Sequence, residues 1–196
     1  MTTELRGRLL LVATLLFFVF IRNDTVSAEG AKPLPNLFGG PFTMVDHNGV
    51  SKSERDFFGR YLLLYFGYTY CPDICPTHLQ RLAVALDELG PSAAQLTPVF
   101  VTVDPVRDNV EHLKDYVSAF HPRLIGLTGS EAQVRAITKA YRVHRAKVPG
   151  AGEDDYLVSH SSTIFLMGPN GEFVTLFPHD TASDRIVVIL RKHLSS

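Results

Sequence analysis

The sequence predicts an α/β domain, and three observations carry that reading. Leu62–Phe66, a continuous apolar run, and Pro98–Val103, apolar but for Thr102, read as buried strands. Between them Leu79, Leu82, Ala83 and Leu86 fall at helical spacing, so the pair forms a parallel βαβ unit. Later, Asn170-Gly171 separates the strand-like runs Thr163–Met167 and Glu172–Phe177, and a helical segment follows. Composition agrees: 196 residues, 45% apolar and 20% charged, make one globular domain plus a short extra segment. A net charge of −1 provides no basic field for nucleic acid. Two cysteines exclude a disulfide scaffold and any zinc site of three or four thiolates.

Taken in order, the chain opens with Arg6 and Arg8 ahead of the apolar run Leu9–Ile21. As a helix that run is about 20 Å long, short against a hydrocarbon core of about 30 Å and right for a signal peptide. Val26-Ser27-Ala28 offers a cleavage site, whereas Arg22 suits a retained anchor. Residues 1–28 are therefore expected to be a signal peptide or N-terminal membrane anchor. That makes the chain an exported protein of the bacterial periplasm or cell envelope, with membrane association through residues 9–21 if they are kept. Residues 29–40, with Pro33, Pro35, Gly39 and Gly40, read as a linker into a domain over 41–196.

Phe42–Val45 and Asn48-Gly49 read as a strand and hairpin turn. The first helix is expected over 76–89, with Pro76 in its first turn and Gly90 as its stop. Asp108 and Glu111 form a capping-box pattern ahead of Val110, Leu113, Val117 and Phe120. Ser130 and Gln133 repeat it ahead of Val134, Ile137 and Tyr141. A last helix is expected from about Asp184 to Leu194, with Ile186, Ile189 and Leu190 inward. A hairpin, a βαβ half, inserted helices and a ββα half together make a thioredoxin-like layout.

The segment Phe66-Gly67-Tyr68-Thr69-Tyr70-Cys71-Pro72-Asp73-Ile74-Cys75-Pro76 runs off the first buried strand into the first helix. Open α/β sheets place their sites at this carboxyl edge. Amides at a helix N-terminus lower the pKa of a nearby thiol, and thiolate serves both disulfide exchange and metal binding. Three residues separate the cysteines, one more than suits attack of one thiol on a mixed disulfide at the other. The longer spacing still permits a Cys71–Cys75 disulfide, and it widens the bite on one metal ion. Prolines and Asp73 around the pair argue against two inert core cysteines.

Two thiolates leave a metal under-coordinated, so a third donor is expected from elsewhere in the chain. Of eight histidines, His78 lies three residues after Cys75 on the same helix. His160 is favoured, in the loop Leu157–Ser162 just before the strand Thr163–Met167. In a thioredoxin-like domain that strand neighbours the one feeding the cysteine turn, and the loop before it faces the thiols. Thioredoxins carry a proline there; this chain has none at that point. Two thiolates and an imidazole select copper, with zinc the main competitor. They suit a trigonal Cu(I), whereas zinc prefers a fourth ligand. Asp73 reads equally as structure and as a group that docks a partner or tunes the thiols. For Asp104 and Asp108 structure is favoured over partner contact, Asp104-Pro105 ending a strand and Asp108 capping a helix.

Three segments, YFGYTYCPDICPTHL (Tyr65–Leu79), FVTVDPVRD (Phe100–Asp108) and YLVSHSSTIFLMGPNGEF (Tyr156–Phe173), occur in order. They resemble the SCO/SenC family, over most of residues 36–194. The resemblance implies a membrane-associated or exported thioredoxin-fold copper protein that assists the CuA centre of cytochrome c oxidase. It carries the family's copper ligands onto Cys71, Cys75 and His160. Where the family often has an Asp before the histidine, this chain has Ser159, a neutral group, so histidine orientation and copper affinity are expected to differ.

The expected role is that of a copper carrier for Cu(I) and/or Cu(II), not an enzyme in the turnover sense. Its partners would be the CuA-bearing subunit or another copper protein, and a protein that reduces its thiols. The alternative is a thiol–disulfide oxidoreductase that reduces the cysteines of a copper acceptor, with His160 as base or bystander. The cysteine spacing, and a histidine where thioredoxins have proline, speak against it. A peroxiredoxin-like peroxidase would place its threonine differently from Thr69, two residues before Cys71. Metal binding needs reduced thiols, so a Cys71–Cys75 disulfide would close the site.

Overall fold

A computed structural model describes residues 37–150 and 155–194. The leader expected over 1–28, and the expected linker as far as residue 36, lie outside the described residues. The N-terminal hairpin forms as its turn signal predicts, from β1 (Thr43–Asp46) and β2 (Ser51–Ser53). Its strands pair antiparallel, with Thr43 opposite Ser53. Asp46 shapes the turn by accepting from the backbone N–H groups of Asn48 and Val50 at 2.8 and 2.9 Å.

The apolar runs become β3 (Tyr61–Gly67) and, after α1 (Ile74–Leu89), β4 (Leu96–Thr102). They pair in parallel from Tyr61–Leu96 to Gly67–Thr102. Both strands are almost wholly buried, which demands neighbours on each edge and cover on each face. Next come α2 (Val110–Ser118), β5 (Ile125–Thr128) and α3 (Glu131–Ala140). The capping box at Ser130 and Gln133 is present, as the sequence predicts. The chain ends with β6 (Arg145–Pro149), β7 (Tyr156–His160), β8 (Ile164–Met167), β9 (Phe173–Phe177) and α4 (Ser183–Leu194).

Seven strands form one sheet in the order β2-β1-β5-β4-β3-β8-β9. β8 runs antiparallel beside β3, as the layout requires, with Tyr65 opposite Ile164. α1 packs against α4, which buries Ile186, Val187, Leu190 and Leu194. Each such side chain contributes about 1.5–3 kcal/mol of burial. α2 lies on β5, where a Cβ at Gly126 would come within 2.6 Å of Leu113 Cγ. Tyr65, Phe66 and Phe100, fully buried, fill the centre. The result is a thioredoxin-like α/β fold.

Three expectations are corrected. The inserted segment holds a strand as well as helices: β5 pairs parallel with β4 and antiparallel with β1, so the N-terminal hairpin joins the main sheet. Asp108 is not a helix cap. Asn109 caps α2 by accepting from His112 N–H at 2.8 Å, while the Asp108 side chain turns inward. Finally, His160 does not sit in a loop. It ends β7, which pairs with β6 in a separate two-stranded sheet with Arg145 opposite His160.

Candidate metal centre

β3 delivers the chain to the carboxyl edge of the sheet, where it turns before α1. A Cβ at Gly67 would stand 2.9 Å from Cys75 Sγ and 2.7 Å from the Phe100 ring. The bare backbone there lets the Cys75 thiol sit against the strand end. Cys71 N–H closes a turn onto the Tyr68 carbonyl at 3.2 Å, and Cys75 N–H donates to Cys71 Sγ at 3.4 Å. Both thiols are free, Cys75 fully buried and Cys71 partly exposed.

The two thiols are electrostatically unequal. Cys71 is held down to about 3, chiefly because the Cys75 thiol donates to its sulfur. The Cys75 and Asp73 amides add to the effect against the cost of partial burial. Cys75 is pushed far above the ordinary thiol range, by that same bond to Cys71 and then by burial. The pair therefore holds one proton at neutral pH, with the charge on the outer sulfur.

His160 approaches from the other side. Its Nε2 lies 3.4 Å from Cys75 Sγ, and its Nδ1 lies 3.2 Å from the Ser161 carbonyl. A proton on Nδ1, donated to that carbonyl, leaves the Nε2 lone pair facing sulfur. The partner on Nδ1 is thus the Ser161 backbone, while Ser159 is exposed beside it. The Tyr68 ring meets the imidazole edge-on at 5.9 Å between centroids. Cys71, His160, Tyr68, Pro72, Ile74 and Leu157 line an open groove of about 370 Å³. Among the described residues, no three His, Cys, Asp or Glu side chains are already gathered closely enough to hold a metal ion. The two sulfurs and Nε2 are neighbours that a metal would have to draw together.

The other named residues separate by role. His78 bonds Tyr65 rather than the thiols: its Nδ1 is 3.0 Å from the Tyr65 hydroxyl, which lies close to Cys75. Burial lowers the His78 pKa, so it stays neutral behind the site. Asp73 is exposed at the start of α1 and its side chain makes no cap bond. Asp104 is fully buried and bonds Arg107 and Tyr156. Asp108 accepts from Thr69 N–H at 3.1 Å, Thr69 Oγ1 at 2.6 Å and Thr102 Oγ1 at 2.5 Å, so it anchors the turn that carries Cys71. Tyr65, Tyr68, Arg107 and Tyr156 were not legible as site residues. Their types fit an ordinary core or surface, and only the turn's folding against β7 brings them near the thiols.

The family model described as SCO1/SenC matches residues 30–195. The chain is 38% identical over 160 residues to human "Protein SCO1 homolog, mitochondrial", covering 81% of this chain and 53% of that protein. It is 41% identical over 159 residues to mouse "Protein SCO2 homolog, mitochondrial", covering 80% of this chain and 62% of that one. It thus spans between half and two thirds of the length of these relatives. Among solved structures, Arabidopsis thaliana ScoI with copper bound superposes with a TM-score of 0.76 at 38% identity, covering 81% of this chain and 98% of that one.

Proposed function

The chain belongs to the SCO1/SenC family, and on that premise we propose that it carries one copper ion on Cys71, Cys75 and His160. The observation behind this reading is the 3.4 Å approach of Cys75 Sγ to His160 Nε2, beside Cys71, whose pKa the Cys75 thiol holds well below the ordinary thiol range. Two soft thiolates and an imidazole match copper, and a structure of a relative, the Arabidopsis ScoI, holds copper. Loading Cu(I) displaces the one thiol proton left on Cys75. The partly exposed Cys71 and the open groove give a partner access to the ion. The acceptor would be the CuA-bearing subunit of cytochrome c oxidase or another copper protein. Oxidation of this thiolate–thiol pair to a disulfide, with loss of two electrons and the one remaining proton, would close the site until a thiol reductant reopened it. A leader at 1–28 would place this chemistry outside the cytoplasm, with 9–21 as a tether if retained.

A second reading has its own support. An ionised, partly exposed Cys71 in front of a buried, protonated Cys75 is the arrangement of an attacking and a resolving thiol. Reduction of an acceptor's cysteines could therefore accompany delivery.

Anaerobic Cu(I) titration against a competing chelator tests the carrier reading. One copper per chain is expected, with Cys71→Ser and His160→Ala each weakening binding by about tenfold or more. If His160→Ala binds as tightly as the parent while the protein reduces insulin disulfides rapidly, the reductase reading takes over.

A further inference from the structure

We propose that Arg107, Asp104 and Tyr156 form a clasp that positions His160, by fixing the β6–β7 hairpin to the body of the domain. The proposal rests on the reading of His160 as the third donor.

The hairpin needs such a device. β6 and β7 pair only with each other in the described ladders, and an isolated two-stranded hairpin is marginal in water. Four of the five β6 residues are exposed, so little burial holds that strand down. The first residue of β7 is held from several sides instead. The Tyr156 hydroxyl donates to Asp104 Oδ1 at 2.9 Å, and the Tyr156 carbonyl accepts from Arg107 Nη1 at 3.0 Å. The Arg107 guanidinium lies 3.7 Å from the centroid of the Tyr156 ring, and Lys147 Nζ lies 4.2 Å from it. Arg107 Nε donates to Asp104 Oδ2 at 2.5 Å, and Asp104 is fully buried. Each group of the trio thus bonds the other two. A planar guanidinium suits this double duty where an ammonium would not.

The clasp reaches His160 through the strand. Along β7, Val158 is buried near the Tyr68 hydroxyl, and the Tyr68 ring meets the His160 ring. A five-residue strand spans roughly 13–17 Å, so along β7 the trio acts through the backbone it fixes; Arg107 also lies 5.7 Å from the centroid of the Tyr68 ring, which meets His160. On the far side Arg145, with 16% of its side chain exposed, forks onto the more exposed Glu131 at 2.6 and 3.2 Å, a second tie that holds the start of β6 to α3. The segment Asp104–Asp108 also anchors the other half of the site, through Asp108 and Thr69. One short stretch after β4 therefore sets where the thiols and the imidazole meet.

Arg107→Ala, Arg107→Lys, Tyr156→Ala, Tyr156→Phe and Asp104→Asn test this, beside His160→Ala. On metal-free protein, amide hydrogen exchange at Val158 is expected to rise about tenfold or more in Arg107→Ala and Tyr156→Ala, with β3 amides unchanged, as for a local opening. In the Cu(II)-loaded forms, the nitrogen hyperfine coupling that His160→Ala abolishes should weaken in the same two variants. Tyr156→Phe, which keeps the ring and carbonyl contacts, and Arg107→Lys should fall between them and the parent. If Arg107→Ala does not fold, Asp104→Asn, which keeps side-chain volume, carries the test. Unchanged Val158 exchange and unchanged nitrogen coupling overturn the clasp. Should His160→Ala itself leave the copper spectrum unaltered, the ligand reading fails, and exchange alone decides the clasp.

Discussion

At the scale of single residues, the centre is a pair of thiols sharing one proton. Cys71 bears the charge because Cys75 donates to it and because it faces amides at the start of α1. The sign is direct: a thiol with a lowered pKa stays ionised as pH falls until pH nears that value. Iodoacetamide should therefore label Cys71 at rates within roughly twofold between pH 8 and pH 5, whereas an ordinary thiol is only about one part in three thousand thiolate at pH 5. A rate that drops tenfold per pH unit across this range would refute the assignment. His78→Ala is expected to leave Cu(I) affinity within about twofold, since His78 bonds Tyr65 and stands behind the thiols; a loss near that of His160→Ala would make it a ligand. Cys71, Cys75 and His160 were legible because cysteine spacing and histidine chemistry are visible in a string. The role of Asp108 was not. A capping box and an inward anchor share the same letters, and burial, which separates them, is a tertiary property.

Elements explain why those residues meet. β3 and β4 were legible because a strand buried on both faces is largely apolar, and α1 because its apolar spacing and the stop at Gly90 agree. β5 was hidden by its four-residue length and by Gly126 within it, which resembles a loop until α2 is seen lying on it. β6 was hidden by exposure, having almost no buried face to mark its period. The two acceptors at the start of α2 should differ in weight. Asn109→Ala removes one exposed cap bond and is expected to cost about 1 kcal/mol in urea unfolding. Asp108→Ala strands the buried hydroxyl of Thr102 and the part-buried donors of Thr69 and should cost about 2–4 kcal/mol. Equal costs would return Asp108 to a capping role. At the end of β3, Gly67→Ala would push a methyl against Phe100 and Cys75 Sγ. A stability loss of about 1–3 kcal/mol is expected, together with weaker copper binding; unchanged affinity would show that the strand end does not seat Cys75.

For the whole molecule, one sheet presents two separately built halves of a site at the same edge. The seven strands bring the β3–α1 turn beside the β7–β8 connection, because β8 is the antiparallel neighbour of β3. That adjacency follows from a βαβ half joined to a ββα half, so the meeting of Cys75 with His160 could be anticipated from layout. The hairpin that carries His160 could not, since its support comes from Arg107 and Tyr156, far apart in sequence. Under the proposed reading copper is the ion carried, and the thiols' redox state would decide whether the site is open. X-ray absorption at the copper edge on the anaerobically loaded protein tests the central claim most directly. Two sulfurs and one nitrogen per copper are expected, the nitrogen vanishing in His160→Ala. A shell of sulfur alone, or a nitrogen that survives His160→Ala, would contradict it.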